Sequence, residues 1–214
     1  MRIRHKPYAV DNMLEHPDLV LFKPILYKGK WAEQFGNSNP VYVELGMGRG
    51  QFIITNANKN PDINYMGIEK KNEVALIAMQ RALSNDTPIQ NLKILPTNID
   101  FITEIFDKNE IDALYINFCD PWPKDRHSKR RLTHRNFLKV YKNLLKPAAE
   151  IIFKTDNREL FDFSIEEFQE SGYEIVEITY DLHKLGDPNN VMTEYEKKFS
   201  EMGVKINRLK AIIH

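Results

Sequence analysis

The chain has 214 residues, 42% hydrophobic and 28% charged, with 30 basic side chains balancing 30 acidic ones. That length buries a core without staples, and the ordinary apolar content without a short repeat excludes collagen-like, disordered and coiled-coil classes. No run approaches the ~20 apolar residues of a membrane span, Met1–Lys6 opens basic with no apolar stretch behind it, and Cys119 is the sole cysteine, so neither membrane insertion, a signal peptide nor an internal disulfide is expected, and the cytoplasm is the natural compartment.

In chain order, the basic start (Arg2, Arg4, Lys6) precedes an apolar run at Val41–Leu45 that reads as the first strand. A helix is expected over Gln51–Asn58, a strand over Ile63–Glu69 and a helix over Asn72–Leu83. The alternation continues with strand Leu92–Leu95, helix Phe101–Phe106 and strand Ala113–Phe118. Helix Thr133–Leu145 carries Phe137, Val140, Tyr141, Leu144 and Leu145 at three-to-four spacing, and Pro147 stops it. Strand Glu150–Thr155, helix Leu160–Glu170, strand Tyr173–Tyr180 and a final strand at Val204–Ile212 complete the list, with a polar, turn-rich stretch around Gly186–Asn190. Such alternation predicts an α/β fold with a mostly parallel, doubly wound sheet. No low-complexity linker divides the chain. Residues 1–214 read as one domain with a short basic extension at about 1–30.

Charge is segregated beneath the neutral total. Lys124, Arg126, Lys129, Arg130, Arg131 and Arg135 face only Asp125 in their stretch, a net of +5, whereas Asp156–Asp181 holds nine acids against Arg158, a net of −8. The acidic stretch reads as a solvated helix face. The basic one can build a local potential suited to phosphates.

The first strand runs into Glu44-Leu45-Gly46-Met47-Gly48-Arg49-Gly50. Glycines there let the backbone turn sharply and approach a ligand at the carboxyl end of the strand. Glu69 ends the second strand, 23 residues after Gly46, where an acid can accept from both hydroxyls of a ribose. A dinucleotide site would want glycine at the Gln51 position to complete G-x-G-x-x-G. Here the pattern is G-x-G-x-G, and Glu44 would repel a pyrophosphate. S-adenosylmethionine, with its ammonium and sulfonium, tolerates that carboxylate and is the favoured cofactor.

The fourth strand ends in Asn117-Phe118-Cys119-Asp120-Pro121-Trp122-Pro123-Lys124. Two prolines bracketing a tryptophan make a rigid segment, since each fixes its own φ and restricts its predecessor. Taken together, these pieces resemble the bacterial tRNA (guanine-N7-)-methyltransferases. The resemblance rests on Met1-Arg2-Ile3-Arg4-His5-Lys6-Pro7, Val43–Gly50, Gly67-Ile68-Glu69 and Asp120–Lys124. It continues through Arg126-His127-Ser128-Lys129-Arg130-Arg131, Lys154-Thr155-Asp156 and Thr193-Glu194-Tyr195-Glu196. It implies a class I, Rossmann-like methyltransferase fold with a C-terminal antiparallel strand. It also implies S-adenosylmethionine-dependent methylation of a guanine at position 46, in the variable loop of tRNA. Cofactor contacts then fall on Glu44, Gly46, Gly48, Gly50, Glu69, Asn98 and Asp120, with Asp120 also catalytic. Base and tRNA contacts fall on Lys124, Asp156, Thr193, Glu194, Tyr195 and Glu196, and RNA contacts on Arg126, His127, Lys129, Arg130 and Arg131. The family usually has Asp at the position of Asn98, and often two glycines where this chain has Ala148-Ala149, a pair that asks for an ordinary turn.

Guanine N7 carries a lone pair free at neutral pH, so its methylation needs positioning and charge stabilisation rather than a general base. Carboxylates such as Asp156, and Glu196 in a late loop, suit the N1–H and exocyclic amine donors of the base. Trp122 or Tyr195 can offer stacking. His127 and His134 lack a third ligand at metal spacing, so no metal is expected. The expected partner is tRNA, without a membrane, and a homodimer is left open. Three rival readings remain: a non-catalytic RNA-binding module, an amino-nitrogen methyltransferase, and cytosine C5 methylation with Cys119 as nucleophile.

Overall fold

Stiff β-branched and aromatic side chains pack well on a pleated surface, and the glycine and polar breaks between such runs decide where each strand stops. The computed structural model describes residues 6–213, which divide into two compact units between Glu110 and Ile111. Arg2 and Arg4 of the basic start lie outside the described residues.

The first unit holds α1 (Ala9–Leu14), α2 (Trp31–Phe35), β1 (Val41–Leu45), α3 (Gln51–Lys59), β2 (Asn64–Ile68), α4 (Asn72–Leu83), β3 (Leu92–Leu95) and α5 (Ile102–Ile105). β2 lies between β1 and β3 and is parallel to both, with Val41 opposite Asn64 and Tyr65 opposite Leu92. β1, α4 and β3 have the expected limits. The helix expected at Phe101–Phe106 is a 3-10 turn, Ile99–Phe101, followed by the short α5.

The segment before β1 carries more structure than the sequence signalled. α1 packs on α4 and buries Ala9 and Met13. Val20 bridges Ile94 in parallel, with Leu21 N–H donating to the Ile94 carbonyl at 2.9 Å. Trp31 is buried, and its indole N–H donates to the Ile105 carbonyl at 3.2 Å. The described part of the basic extension is thus packed onto the first unit. Helices of five and six residues are too short to show a period.

The second unit holds β4 (Ile111–Asn117), α6 (Arg135–Leu144), β5 (Leu145–Thr155), α7 (Arg158–Glu170), β6 (Glu174–Thr179), α8 (Glu194–Glu201) and β7 (Asn207–Ile212). β4 pairs with β5 in parallel, and β7 runs antiparallel to both β5 and β6. The strands are mostly parallel with one antiparallel strand at the C-terminal end, as expected. α6 begins two residues later than Thr133 because His134 caps it, its Nδ1 accepting from Asn136 N–H at 3.1 Å. Burial lowers the His134 pKa, which suits a neutral ring acting as acceptor. No helix of the described residues is long and apolar enough to cross a membrane.

Three expectations fail here. β5 begins at Leu145 rather than Glu150, so Pro147 lies inside the strand and does not stop α6, which ends at Leu144. α8 was not anticipated, although Thr193-x-x-Glu196 is a capping box and both of its hydrogen bonds form. Ala148 does not take ordinary turn geometry: its φ is 62°, and its N–H donates to the Ile213 carbonyl at 2.8 Å. The chain keeps a left-handed residue there without the glycine that tolerates it. Left-handed backbone costs an L residue about 1–2 kcal/mol, against roughly 0.5–1 kcal/mol of added chain entropy for glycine. Ala148→Gly should therefore raise stability by up to about 1 kcal/mol, a shift of about 2–4 °C in thermal midpoint. A lowered midpoint would show that no strain is stored at this residue.

Candidate active site

The three glycines after β1 do two different jobs. Gly46, Gly48 and Gly50 have φ of 76°, 56° and 75°, backbone that other residues adopt only under strain. A Cβ at Gly46 or Gly48 would have nothing within 4 Å, whereas one at Gly50 would stand 2.8 Å from the Ala78 Cβ on α4. Gly46 and Gly48 thus leave backbone open to a ligand, and Gly50 lets α3 seat closely against α4. The loop is tied down by Gly46 and Met47 N–H groups, which both donate to the Ile68 carbonyl at 2.9 and 3.0 Å.

Glu69 lies one residue beyond β2, and its Oε1 accepts from Lys71 N–H at 2.9 Å. Burial raises the Glu69 carboxyl pKa, and backbone hydrogen bonds from Lys71 and Gly48 pull it partly back. Glu69 is therefore beside the glycine loop, as the spacing required. Glu44 is 2% exposed at the end of β1. Asn98 caps the Ile99–Phe101 turn, and its amide donates to Asp100 Oδ2 at 2.8 Å. Aspartate at this position would set two carboxylates against each other, which gives the amide here a physical reason. Open backbone, an acid beside the glycine loop and a buried upstream carboxylate fit S-adenosylmethionine.

In the second unit, the residues after β4 are strained. Phe118 has φ of 50° and Trp122, between Pro121 and Pro123, has φ of 43°. The residue before a proline usually moves to extended backbone; Trp122 instead goes left-handed, so the segment is rigid and also stores energy. Cys119 is partly buried, and burial, with the Asp120 charge adding to it, pushes its thiol up to about 12. A thiol held neutral is a poor nucleophile, which weighs against the cysteine-dependent C5 reading. Asp120 and Lys124 are exposed.

Lys154 and Thr155 end β5, and Asp156 follows it. Asn157, not Asp156, caps α7, its Oδ1 accepting from Leu160 N–H at 2.7 Å, which leaves the Asp156 carboxylate outside the cap. Lys154 Nζ donates to Glu196 Oε2 at 2.7 Å, with side chains 2% and 0% exposed. It also donates to Asn190 Oδ1 and the Val191 carbonyl at 3.1 and 3.0 Å.

The expectation for Glu196 is corrected by this geometry. It lies in α8 rather than in a loop, and its other oxygen accepts from Asn190 Nδ2 at 2.6 Å, so both oxygens are engaged inside the protein. Thr193 is equally occupied, capping α8 through Glu196 N–H at 2.9 Å. Glu194 and Tyr195 are the exposed members of the four. The Tyr195 ring stacks on Phe118 with centroids 6.2 Å apart, which sets α8 against the residues following β4.

The basic run also divides. Arg126, Lys129 and Arg130 are exposed, with the Arg130 guanidinium 4.9 Å over the Trp122 ring and His127 edge-on to that ring at 5.8 Å. Arg131 is turned inward onto the strained segment and onto Phe163. Arg135 pairs with Glu167 and Glu170 of the acidic stretch. Burial alone would raise the Glu167 carboxyl pKa, but hydrogen bonds and charge from Arg135 bring it below its ordinary value. Glu167 is 4% exposed, so the acidic stretch is not solvated throughout.

Residues 38–209 match a family model described as "Putative methyltransferase". The tRNA (guanine-N(7)-)-methyltransferase of Clostridium acetobutylicum is 50% identical to this chain over 209 residues, 98% of each protein. The enzyme of the same name from Bacillus subtilis (strain 168) is 47% identical over 208 residues, 97% of each. The chain belongs to the tRNA (guanine-N7-)-methyltransferase family. Among solved structures, an antibiotic-related methyltransferase superposes with a TM-score of 0.63 at 20% identity, covering 87% of this chain and 93% of that one. An S-adenosylmethionine-dependent methyltransferase from Aquifex aeolicus gives 0.56 at 14%, covering 99% and 100%. At such identities the likeness speaks for the fold alone, and that fold is the class I one.

Within this family member, sequence reasoning missed the work of Lys154 and Arg131. A lysine inside the apolar run Ile151–Thr155 was a usable signal, because a buried ammonium needs a carboxylate. Nothing in a run of basic residues marks which one turns inward. Breaking a buried pair by removing one partner typically costs 3–5 kcal/mol. Glu196→Gln should thus lower unfolding free energy by about 3 kcal/mol in a denaturant titration. The Lys154→Met, Glu196→Leu double variant should recover most of that loss. Equal stability of wild type and Glu196→Gln would show that the pair holds nothing.

Proposed function

We propose that this protein methylates N7 of guanine 46, in the variable loop of tRNA, in the cytoplasm, and that the whole chain serves this reaction as one methyltransferase domain. The family model in support of a single domain spans the division at Glu110–Ile111. As a family member the chain is an S-adenosylmethionine-dependent methyltransferase acting on guanine N7 in tRNA. The observation that sites the chemistry is the strained turn at Phe118–Trp122; guanine 46 is the target that the resemblance to the family implies. Stored backbone strain clusters where a fold must present chemistry.

The cofactor supplies an electrophilic methyl group when bound. Glu44, Gly46, Gly48, Gly50, Glu69 and Asn98 would hold it. The rest of the work is positioning. The N7 lone pair needs neither a base nor a metal, so the protein must orient the guanine and stabilise the positive charge the purine acquires. An arginine reading O6 and N7 would block the reacting atom. Asp156 is suited instead to accept from N1–H and the exocyclic amine. Asp120 would stabilise the developing cation, and Tyr195 would offer its exposed ring for stacking. Lys124, Arg126, His127, Lys129 and Arg130 would anchor phosphates, which carry affinity rather than sequence readout.

Nucleoside mass analysis of tRNA incubated with protein and S-adenosylmethionine should show 7-methylguanosine, and borohydride–aniline treatment should cleave at position 46. Methyl found only on adenine or cytosine would contradict the reading. Asp156→Asn removes a charged acceptor worth about 1.5–3 kcal/mol, so turnover should fall about 10- to 100-fold with cofactor affinity nearly unchanged in equilibrium dialysis. Loss of cofactor binding in a folded Asp156→Asn protein would reassign Asp156.

A further inference from the structure

The strained turn after β4 needs something to hold it. Trp122 has φ of 43° and Phe118 has φ of 50°, and each such residue costs of order 1–3 kcal/mol unless its surroundings over-determine it. Pro121 and Pro123 have no N–H, so this stretch cannot stabilise itself with a regular hydrogen-bond ladder. Arg131 supplies what is missing. Its Nε donates to the Pro121 carbonyl at 3.0 Å and its Nη2 to the Trp122 carbonyl at 3.1 Å. These are the two carbonyls on either side of the left-handed residue, spanned by one planar fork. The guanidinium carbon lies over the Phe163 ring of α7, 4.3 Å from its centroid. Its own backbone is fixed at the end of the Asp125–Arg130 turn, with N–H donating to the Ser128 carbonyl at 3.0 Å.

We propose that Arg131 is a positioning residue for methyl transfer: it clamps the Asp120–Pro123 turn in its reactive conformation and is not one of the phosphate anchors of the basic run. This rests on the reading above that the Asp120 turn carries the chemistry. Lysine keeps the charge but lacks the planar fork, so it cannot span both carbonyls. A phosphate anchor, by contrast, acts through its charge and would be largely preserved in lysine but lost in alanine.

The test is a set of steady-state measurements on the full chain with tRNA and S-adenosylmethionine, joined to RNA binding as a function of salt. Arg131→Lys and Arg131→Ala should both lower kcat at least 10-fold, with KM for tRNA within about twofold of wild type. The log–log salt slope of tRNA binding should stay at the wild-type value in both. Lys129→Ala, a phosphate anchor by the reading above, should flatten that slope by about 0.7–0.9. A flattened slope in Arg131→Ala, whatever happens to kcat, would overturn the proposal, as would wild-type kcat in Arg131→Lys. Circular dichroism and cofactor dialysis accompany each variant. Loss of fold in both Arg131 variants would also overturn it, since Arg131 would then hold the domain rather than the turn. Asp120→Ala in the same assay separates the two levels. Reduced kcat there with wild-type kcat in Arg131→Lys sinks the clamp alone, whereas wild-type kcat in Asp120→Ala sinks the underlying reading and the clamp with it.

Discussion

An ammonium taken out of water into a strand costs several kcal/mol unless a carboxylate meets it, and Lys154 is where the second unit bears that cost. Its ammonium grips Glu196 and so fixes the first turn of α8. Its backbone carbonyl accepts from Phe118 N–H at 2.8 Å, holding the first left-handed residue after β4. Tyr195, one residue before Glu196, then lies on the Phe118 ring. One residue thus ties three separated pieces of chain together: the end of β4, the end of β5 and α8.

Such ties suit a reaction in which the nucleophile needs no activation. With a lone pair already available, precision of placement is the main thing a protein can add. The second unit accordingly invests in a rigid proline turn, a guanidinium fork and a buried ion pair rather than in a proton relay. The first unit shows the same economy in its glycine loop, where open backbone at Gly46 and Gly48 serves the ligand and the missing side chain of Gly50 serves packing on Ala78.

How much of this was legible depended on length and redundancy. β1, α4 and β3 were read to the residue because each combines an apolar run with clear breaks on both sides. α1, α2 and the bridge at Val20 escaped, since a few residues cannot express a period and their burial depends on a distant strand. α8 was written in Thr193-x-x-Glu196, but its polar composition hid it. The cofactor half was legible because glycines and a spaced acid have few other uses at a strand end. In the other half, Glu196 reads from the sequence as a base contact, whereas its carboxylate is an internal counterion of Lys154. The left-handed φ of Ala148 could not be foreseen from an alanine, because the penalty is borne by surrounding hydrogen bonds such as that to Ile213.

Cys119 carries a consequence of a different kind. It is the only thiol in the chain, it directly precedes Asp120, and burial holds it protonated. The thiolate is the form that attacks an alkylating reagent, so a partly buried thiol held protonated reacts slowly. The chain therefore contains a built-in reporter: the rate at which a maleimide modifies Cys119 senses the surroundings of that turn. Any ligand that steadies the turn should be visible as slower labelling of an otherwise unmodified molecule.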